Sequence, residues 1–177
     1  MQLTDFTILM VEDDPNDILL TQRAFMQASL VNPLRIVRDG EEAIQYLGGR
    51  ETYADRTRYP LPSLILLDLK LPKKSGLEVL EFIRAQPALK QTPVIVLTSS
   101  QESSDIQRAY ALGANSYLLK PVGFDGLLDM VKAIGMYWVL LNQGPERGRS
   151  GPNAPGSPGE PGTTAPLRPF RVPGNSP

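Results

Sequence analysis

Leu64-Ile65-Leu66-Leu67-Asp68-Leu69-Lys70-Leu71-Pro72, with Pro60 and Pro62 ahead of it, joins four consecutive apolar residues to a carboxylate. A strand with one face in water alternates apolar and polar residues. A run without alternation is covered on both faces, the condition of a strand inside a parallel sheet. Open parallel sheets bind their ligands beyond the carboxyl ends of the strands, so Asp68 stands where chemistry is done. Working outward, the same grammar recurs. Ile8-Leu9-Met10-Val11 runs into Glu12-Asp13-Asp14, Val94-Ile95-Val96-Leu97 into Thr98, and Tyr117-Leu118-Leu119 into Lys120-Pro121. The strand ends thus deliver acids, a hydroxyl and an ammonium to one edge.

Apolar runs alternating with amphipathic segments predict an α/β fold with a parallel sheet and helices on both faces. Strands are expected near 7–11, 33–37, 64–67, 94–97 and 116–119, and helices near 15–28, 40–47, 76–85, 102–112 and 124–142. Asp14 before Pro15 suits a helix N-cap followed by proline at the first helical position. Gly113 suits a helix C-terminus. Residues 48–62 form a connection longer than the usual four to six or so residues, either a contact-making loop or a solvated excursion. In the first helix, Leu20, Thr21, Ala24 and Phe25 facing the sheet would turn Leu19 outward and leave Ile18 at the margin. In the last, Leu127, Val131, Ile134, Trp138 and Leu141 share one stripe, while Met130, Ala133, Met136, Tyr137, Val139 and Leu140 lie off it. A helix apolar nearly all round is covered on a second side, and a twofold homodimer through Met136, Tyr137, Trp138 and Leu140 is the economical cover.

The acidic pair Glu12-Asp13, the strand-end Asp68 with Pro72 and Gly76 behind it, Thr98, Tyr117 and Lys120-Pro121, in this order, resemble the receiver domain of two-component response regulators. The likeness spans roughly residues 6–142. Within that family, residues 66–76 and the Tyr137-Trp138 helix end are similar to single-domain regulators paired with phytochrome kinases. The resemblance implies a five-stranded, doubly wound, flavodoxin-like sheet in the order 2-1-3-4-5. It also implies that Asp68 accepts a phosphoryl group from a sensor histidine kinase, that Lys120 and Thr98 contact the phosphoryl oxygens, and that Tyr117 is the switch aromatic. The product is then a signalling protein that catalyses only its own phosphorylation and slow dephosphorylation. The alternative is an intermediate phosphorelay carrier that passes the group on to a histidine. A haloacid-dehalogenase-type phosphatase is disfavoured, because the place for its second aspartate holds Lys70.

Glu12, Asp13 and Asp68 in one pocket repel one another unless a cation sits among them. A hard divalent ion with oxygen ligands meets that need, and Mg²⁺ keeps its waters while accepting one or two carboxylates plus phosphate. By resemblance the ligands are Asp13, Asp68 and the backbone carbonyl of Lys70, with Glu12 acting directly or through water. Each residue also has a plain structural reading: Asp13 and Asp14 as helix caps, Thr98 as a partner of the turn at 99–100, Tyr117 as a half-buried strand aromatic, Lys120 as a solvated charge.

Composition narrows the rest. The chain of 177 residues has neither cysteine nor histidine and a net charge of −1. Disulfides and thiolate chemistry are excluded, a donor histidine must come from another protein, and there is no basic footprint for nucleic acid. The amino-terminal residues lack a secretory pattern, and the longest apolar segment, Met130 to Leu141, carries Lys132 and is too short to span a bilayer. A cytoplasmic protein is expected. Residues 144–177 hold nine prolines and seven glycines without apolar periodicity. They are expected to be a disordered tail beside a receiver domain of residues 1–143.

Overall fold

Neighbouring residues of a strand point to opposite faces, so an uninterrupted apolar run requires apolar cover above and below. The computed structural model, which describes residues 6–136, supplies that cover. Its strands are β1 (Ile8–Val11), β2 (Leu34–Val37), β3 (Leu64–Leu67), β4 (Val94–Thr98) and β5 (Ser116–Leu119). They alternate with α1 (Pro15–Gln27), α2 (Gly40–Gly48), α3 (Gly76–Ala85), α4 (Ser103–Ala111) and α5 (Phe124–Ile134). Every strand pairs parallel with its neighbour, in the order β2-β1-β3-β4-β5. This is the doubly wound, flavodoxin-like architecture expected from the sequence.

Alternation along the strands divides the core in two. Leu9, Val11, Ile65, Leu67, Val94 and Val96 pack with Ala43, Tyr46, Val79, Leu80, Ile83 and Ala109 of α2, α3 and α4. Ile8, Leu64, Leu66 and Ile95 pack with Ala24 and Phe25 of α1 and Leu127, Leu128, Val131 and Ile134 of α5. Each fully buried aliphatic side chain stabilises the fold by about 1.5–3 kcal/mol of transfer free energy.

Local chemistry sets the helix starts. Asp14 accepts hydrogen bonds from the backbone N–H groups of Asn16 at 2.7 Å and Asp17 at 3.3 Å, with Pro15 opening the helix. At α3, Ser75 and Glu78 form a reciprocal capping box. Gly113, at φ 90°, follows the end of α4 as expected.

Two sequence expectations need correction, and one left open is decided. Ile18 is buried rather than marginal, while Leu19 is exposed as anticipated. Met130 is partly buried in the second cluster, because α1 packs along α5 and widens the arc of α5 that is covered. Of the two readings of residues 48–62, the contact-making loop is the one observed: Arg56 donates to the carbonyls of Tyr46 and Leu47, both at 2.7 Å, at the end of α2. Tyr46, Tyr53 and Tyr59 then pack in tilted and edge-to-face pairs with centroids 5.0–6.1 Å apart. Ala133 and Met136 are exposed. Residues 137–142 of the helix expected to reach 142, among them Tyr137, Trp138 and Leu140, and the segment 144–177 lie outside the described residues.

Candidate functional site

Register assembles the site. β1 and β3 pair from Ile8↔Leu64 to Val11↔Leu67, so the next residues along, Glu12 and Asp68, emerge side by side. Thr98 pairs with Leu119, and the N–H of Lys120 donates to the Thr98 carbonyl at 2.9 Å. The Lys120 side chain then turns across the strand ends. Its Nζ lies 2.7 Å from a Glu12 carboxylate oxygen, 2.7 Å from Asp17 and 2.8 Å from Asp68. An ammonium has three N–H donors, and here three carboxylates take them. Lys120 is therefore no solvated charge.

Burial alone would lower the basicity of Lys120, but the hydrogen bonds to Asp17, Asp68 and Glu12 outweigh it and hold the ammonium well above its usual range. Glu12 moves upward as well. Its burial raises it, against the lowering hydrogen bonds from Lys120 and the backbone of Asp14. The two directions are compatible because one cation serves three acids. Lys120 gains from every partner, whereas Glu12, with 2% of its side chain exposed, receives only a share of the charge.

Asp68 is held from both sides. One oxygen accepts from the backbone N–H groups of Leu69 at 2.6 Å and Lys70 at 3.3 Å, and the other from Lys120. Asp13 is exposed at the rim, and Glu12, Asp13 and Asp68 each offer a carboxylate oxygen within 4.8 Å of the others. An all-oxygen, multiply anionic set of this kind fits a hard divalent cation. Chemically, the arrangement presents a carboxylate nucleophile beside a fixed positive charge, with acids able to hold a second one.

The loop after Asp68 is clamped. Lys73 pairs with Asp39 at 2.7 Å and adopts a left-handed backbone at φ 64°. The N–H of Gly40 donates to the Pro72 carbonyl, and a Cβ on Gly40 would stand 1.9 Å from the Lys74 carbonyl oxygen. These contacts fix the backbone that carries Lys70. Lys73, though its side chain is largely exposed, is part of that clamp.

Thr98 is fully buried, and its hydroxyl oxygen accepts from the Ser100 N–H at 3.3 Å, the turn contact anticipated as its structural reading. The hydroxyl proton stays available as a donor. The Tyr117 hydroxyl donates to the Ser100 carbonyl at 3.0 Å, and burial pushes the pKa of the phenol above its usual value. The Ser100 hydroxyl in turn donates to Asp105 of α4 at 2.7 Å. Ser100 thus links Thr98, β5 and α4 through one short segment.

Sequence reasoning missed Asp17 and Gly40. The spacing of Asp17 after the N-cap Asp14 marks a first-turn helix residue, but nothing local aims it at a lysine 103 residues away.

Comparison with known proteins agrees with the geometry. Residues 8–132 match the family model of the response regulator receiver domain. The chain is similar to the probable methanogenesis regulatory protein FilR2 of Methanothrix harundinacea, 40% identical over 145 residues, covering 79% of this chain and 88% of that protein. Among solved structures it resembles the phosphorylated cyanobacterial phytochrome response regulator RcpA, with TM-score 0.73 and 40% identity over 78% of this chain and 96% of that one. It also resembles the Mn(2+)-bound form of response regulator Rcp1, with TM-score 0.72 and 39% identity over 79% and 99% of the two chains.

Proposed function

The chain belongs to the response regulator receiver domain family, and from that membership we propose that Asp68 accepts a phosphoryl group from the phosphohistidine of a phytochrome-type sensor kinase and that the signal passes on by protein contact. The observation that carries this reading is the Asp68 carboxylate at the end of β3, 2.8 Å from the Lys120 ammonium and beside Glu12 and Asp13. The phytochrome link is supported by the likeness to RcpA.

In the transfer, an Asp68 oxygen attacks phosphorus and forms an acyl phosphate as the P–N bond to the donor imidazole breaks and the imidazole leaves. The chain itself has no histidine to serve as donor. Lys120 neutralises phosphoryl oxygens and Thr98 donates its hydroxyl proton to one of them, since phosphoryl transfer depends mainly on positioning and charge. Asp13, Asp68 and, by the family resemblance, the backbone carbonyl of Lys70 would hold a divalent cation, Mg²⁺ by its abundance and its preference for oxygen ligands, with Glu12 close by. When bound, that cation neutralises charge developing on the transferred group. Movement of Thr98 toward the phosphoryl group would pull on Ser100 and through it on Tyr117, which is how the switch reaches the α4–β5–α5 side.

Labelling with phosphoramidate and with a phytochrome-type histidine kinase tests the reading. Wild type with Mg²⁺ should gain an acid-labile phosphoryl group, and Asp68→Ala or wild type in chelator should gain none. Label of equal extent on Asp68→Ala would overturn the assignment.

We also infer a homodimer through the carboxyl-terminal helix, with residues 144–177 as an appendage outside the receiver fold. Met136, 60% exposed with no core to enter, supports the dimer. Met136→Glu should shift wild-type dimer to monomer in light scattering at tens of micromolar while leaving phosphorylation by phosphoramidate intact. A wild type that is already monomeric removes the dimer from the proposal.

A further inference from the structure

Asp17 touches the reaction centre yet has no part in the nucleophile, metal or switch assignments above. It sits in the first turn of α1 and takes one of the three N–H donors of Lys120 at 2.7 Å, while Glu12 and Asp68 take the other two. The ammonium is thus saturated. To contact an incoming phosphoryl oxygen it must release one partner.

The three partners differ in what release costs. Glu12 is 2% exposed and would be left as a buried, uncompensated carboxylate. Asp68 is the nucleophile, with only 7% of its side chain exposed, and Lys120 is the side-chain donor to one of its oxygens, so letting go there would move the ammonium away from the reacting group. Asp17 has 38% of its side chain in solvent. It also lies in the first turn of a 13-residue helix, where the positive end of the helix dipole favours a carboxylate. Once released, it can be hydrated and remains favourably placed.

We propose that Asp17 is a positioning residue for phosphoryl transfer: the yielding arm of the Lys120 tripod, which parks the ammonium over Asp68 in the unphosphorylated protein and gives up its N–H to the incoming phosphoryl group. This rests on Asp68 being the phosphoacceptor. Because Asp17 competes with the phosphoryl oxygens for that donor, it slows transfer, and its removal should speed labelling. Asp17→Glu, which keeps a carboxylate within reach of Lys120, should stay close to wild type.

The test is the rate of labelling by phosphoramidate with Mg²⁺ in wild type, Asp17→Asn, Asp17→Ala, Asp17→Glu and Asp68→Ala, each checked by thermal melting. Asp17→Asn and Asp17→Ala should label about fivefold faster than wild type, near the upper range for a partly exposed ion pair. The gain should survive about 1 M salt, where the screening length falls to about 3 Å, because a vacated N–H is a contact effect and not a field effect. Rates equal to or below wild type in both neutral variants overturn the proposal. So does a gain that vanishes in high salt, which would mean that removing one negative charge merely eased the approach of an anion. If Asp68→Ala labels as well as wild type, the phosphoacceptor assignment fails instead; unlabelled Asp68→Ala with unaltered Asp17 variants sinks this inference alone.

Discussion

Lys120→Ala should lose about 3 kcal/mol of stability at neutral pH in the absence of divalent cations, and a saturating divalent cation should restore most of it. The ammonium is the common partner of Glu12, Asp17 and Asp68 at 2.7–2.8 Å, and the first and last of these are almost wholly shielded from water. Removing one member of a buried ion pair typically costs about 3–5 kcal/mol, because the remaining charge has neither a partner nor a hydration shell. The lower figure applies here, since Asp17 is partly exposed and can regain water. A divalent cation bound by the folded state alone stabilises it in proportion to the logarithm of its concentration over its dissociation constant. It can therefore substitute for the lysine as counter-charge. The same substitution removes a competitor for Glu12 and Asp68, so the variant should bind Mg²⁺ more tightly than wild type. Urea unfolding in chelator and in Mg²⁺, with calorimetric titration of the metal, measures both effects. A variant as stable as wild type in chelator would mean that the carboxylates are relieved by some route other than Lys120.

That cluster marks how far the sequence could be read. Glu12, Asp68, Thr98 and Lys120 were legible because each closes an apolar run, and a parallel sheet brings the carboxyl ends of its strands to one edge whatever the details of packing. Asp17 was not legible. Its contact depends on the rotation of α1 over the end of β5 and on the reach of a lysine side chain, neither of which leaves a periodic trace. Ile18 and Met130 were misjudged for a related reason. A helical stripe computed against a flat sheet takes no account of the second helix alongside, and α1 and α5 bury part of each other's flanks. The loop 48–62 has no periodic pattern to read; its order comes from Arg56 capping the last carbonyls of α2 and from three tyrosines at irregular spacing. Gly40 reads as an ordinary helix-start glycine, and its constraint appears only when the Lys74 carbonyl is laid against it.

Gly76→Ala should damage the site without altering any residue of it. A Cβ on Gly76 would stand 2.1 Å from the Asp68 carbonyl oxygen and 2.7 Å from the Leu69 Cα. Both are backbone atoms and cannot rotate aside as a side chain could. The N–H of Gly76 donates to the Leu69 carbonyl at 2.9 Å, which draws the start of α3 onto the end of β3. One of the two must retreat. The helix start is fixed by the Ser75–Glu78 capping box, and β3 is fixed between β1 and β4. Forced overpacking of this kind costs about 1–3 kcal/mol, and the upper value is expected where neither neighbour can yield. A displacement near 1 Å at Asp68 would lower phosphoryl transfer by about a hundredfold through misalignment alone. Labelling well below the melting temperature should therefore fall far more than the folded fraction does. Gly48→Ala is the matched control, since its Cβ would meet only the flexible Arg50 side chain, at 3.3 Å, and its labelling should match wild type. If Gly76→Ala labels at the wild-type rate while folded, the close approach of α3 to the strand end serves stability and leaves the aim of Asp68 untouched.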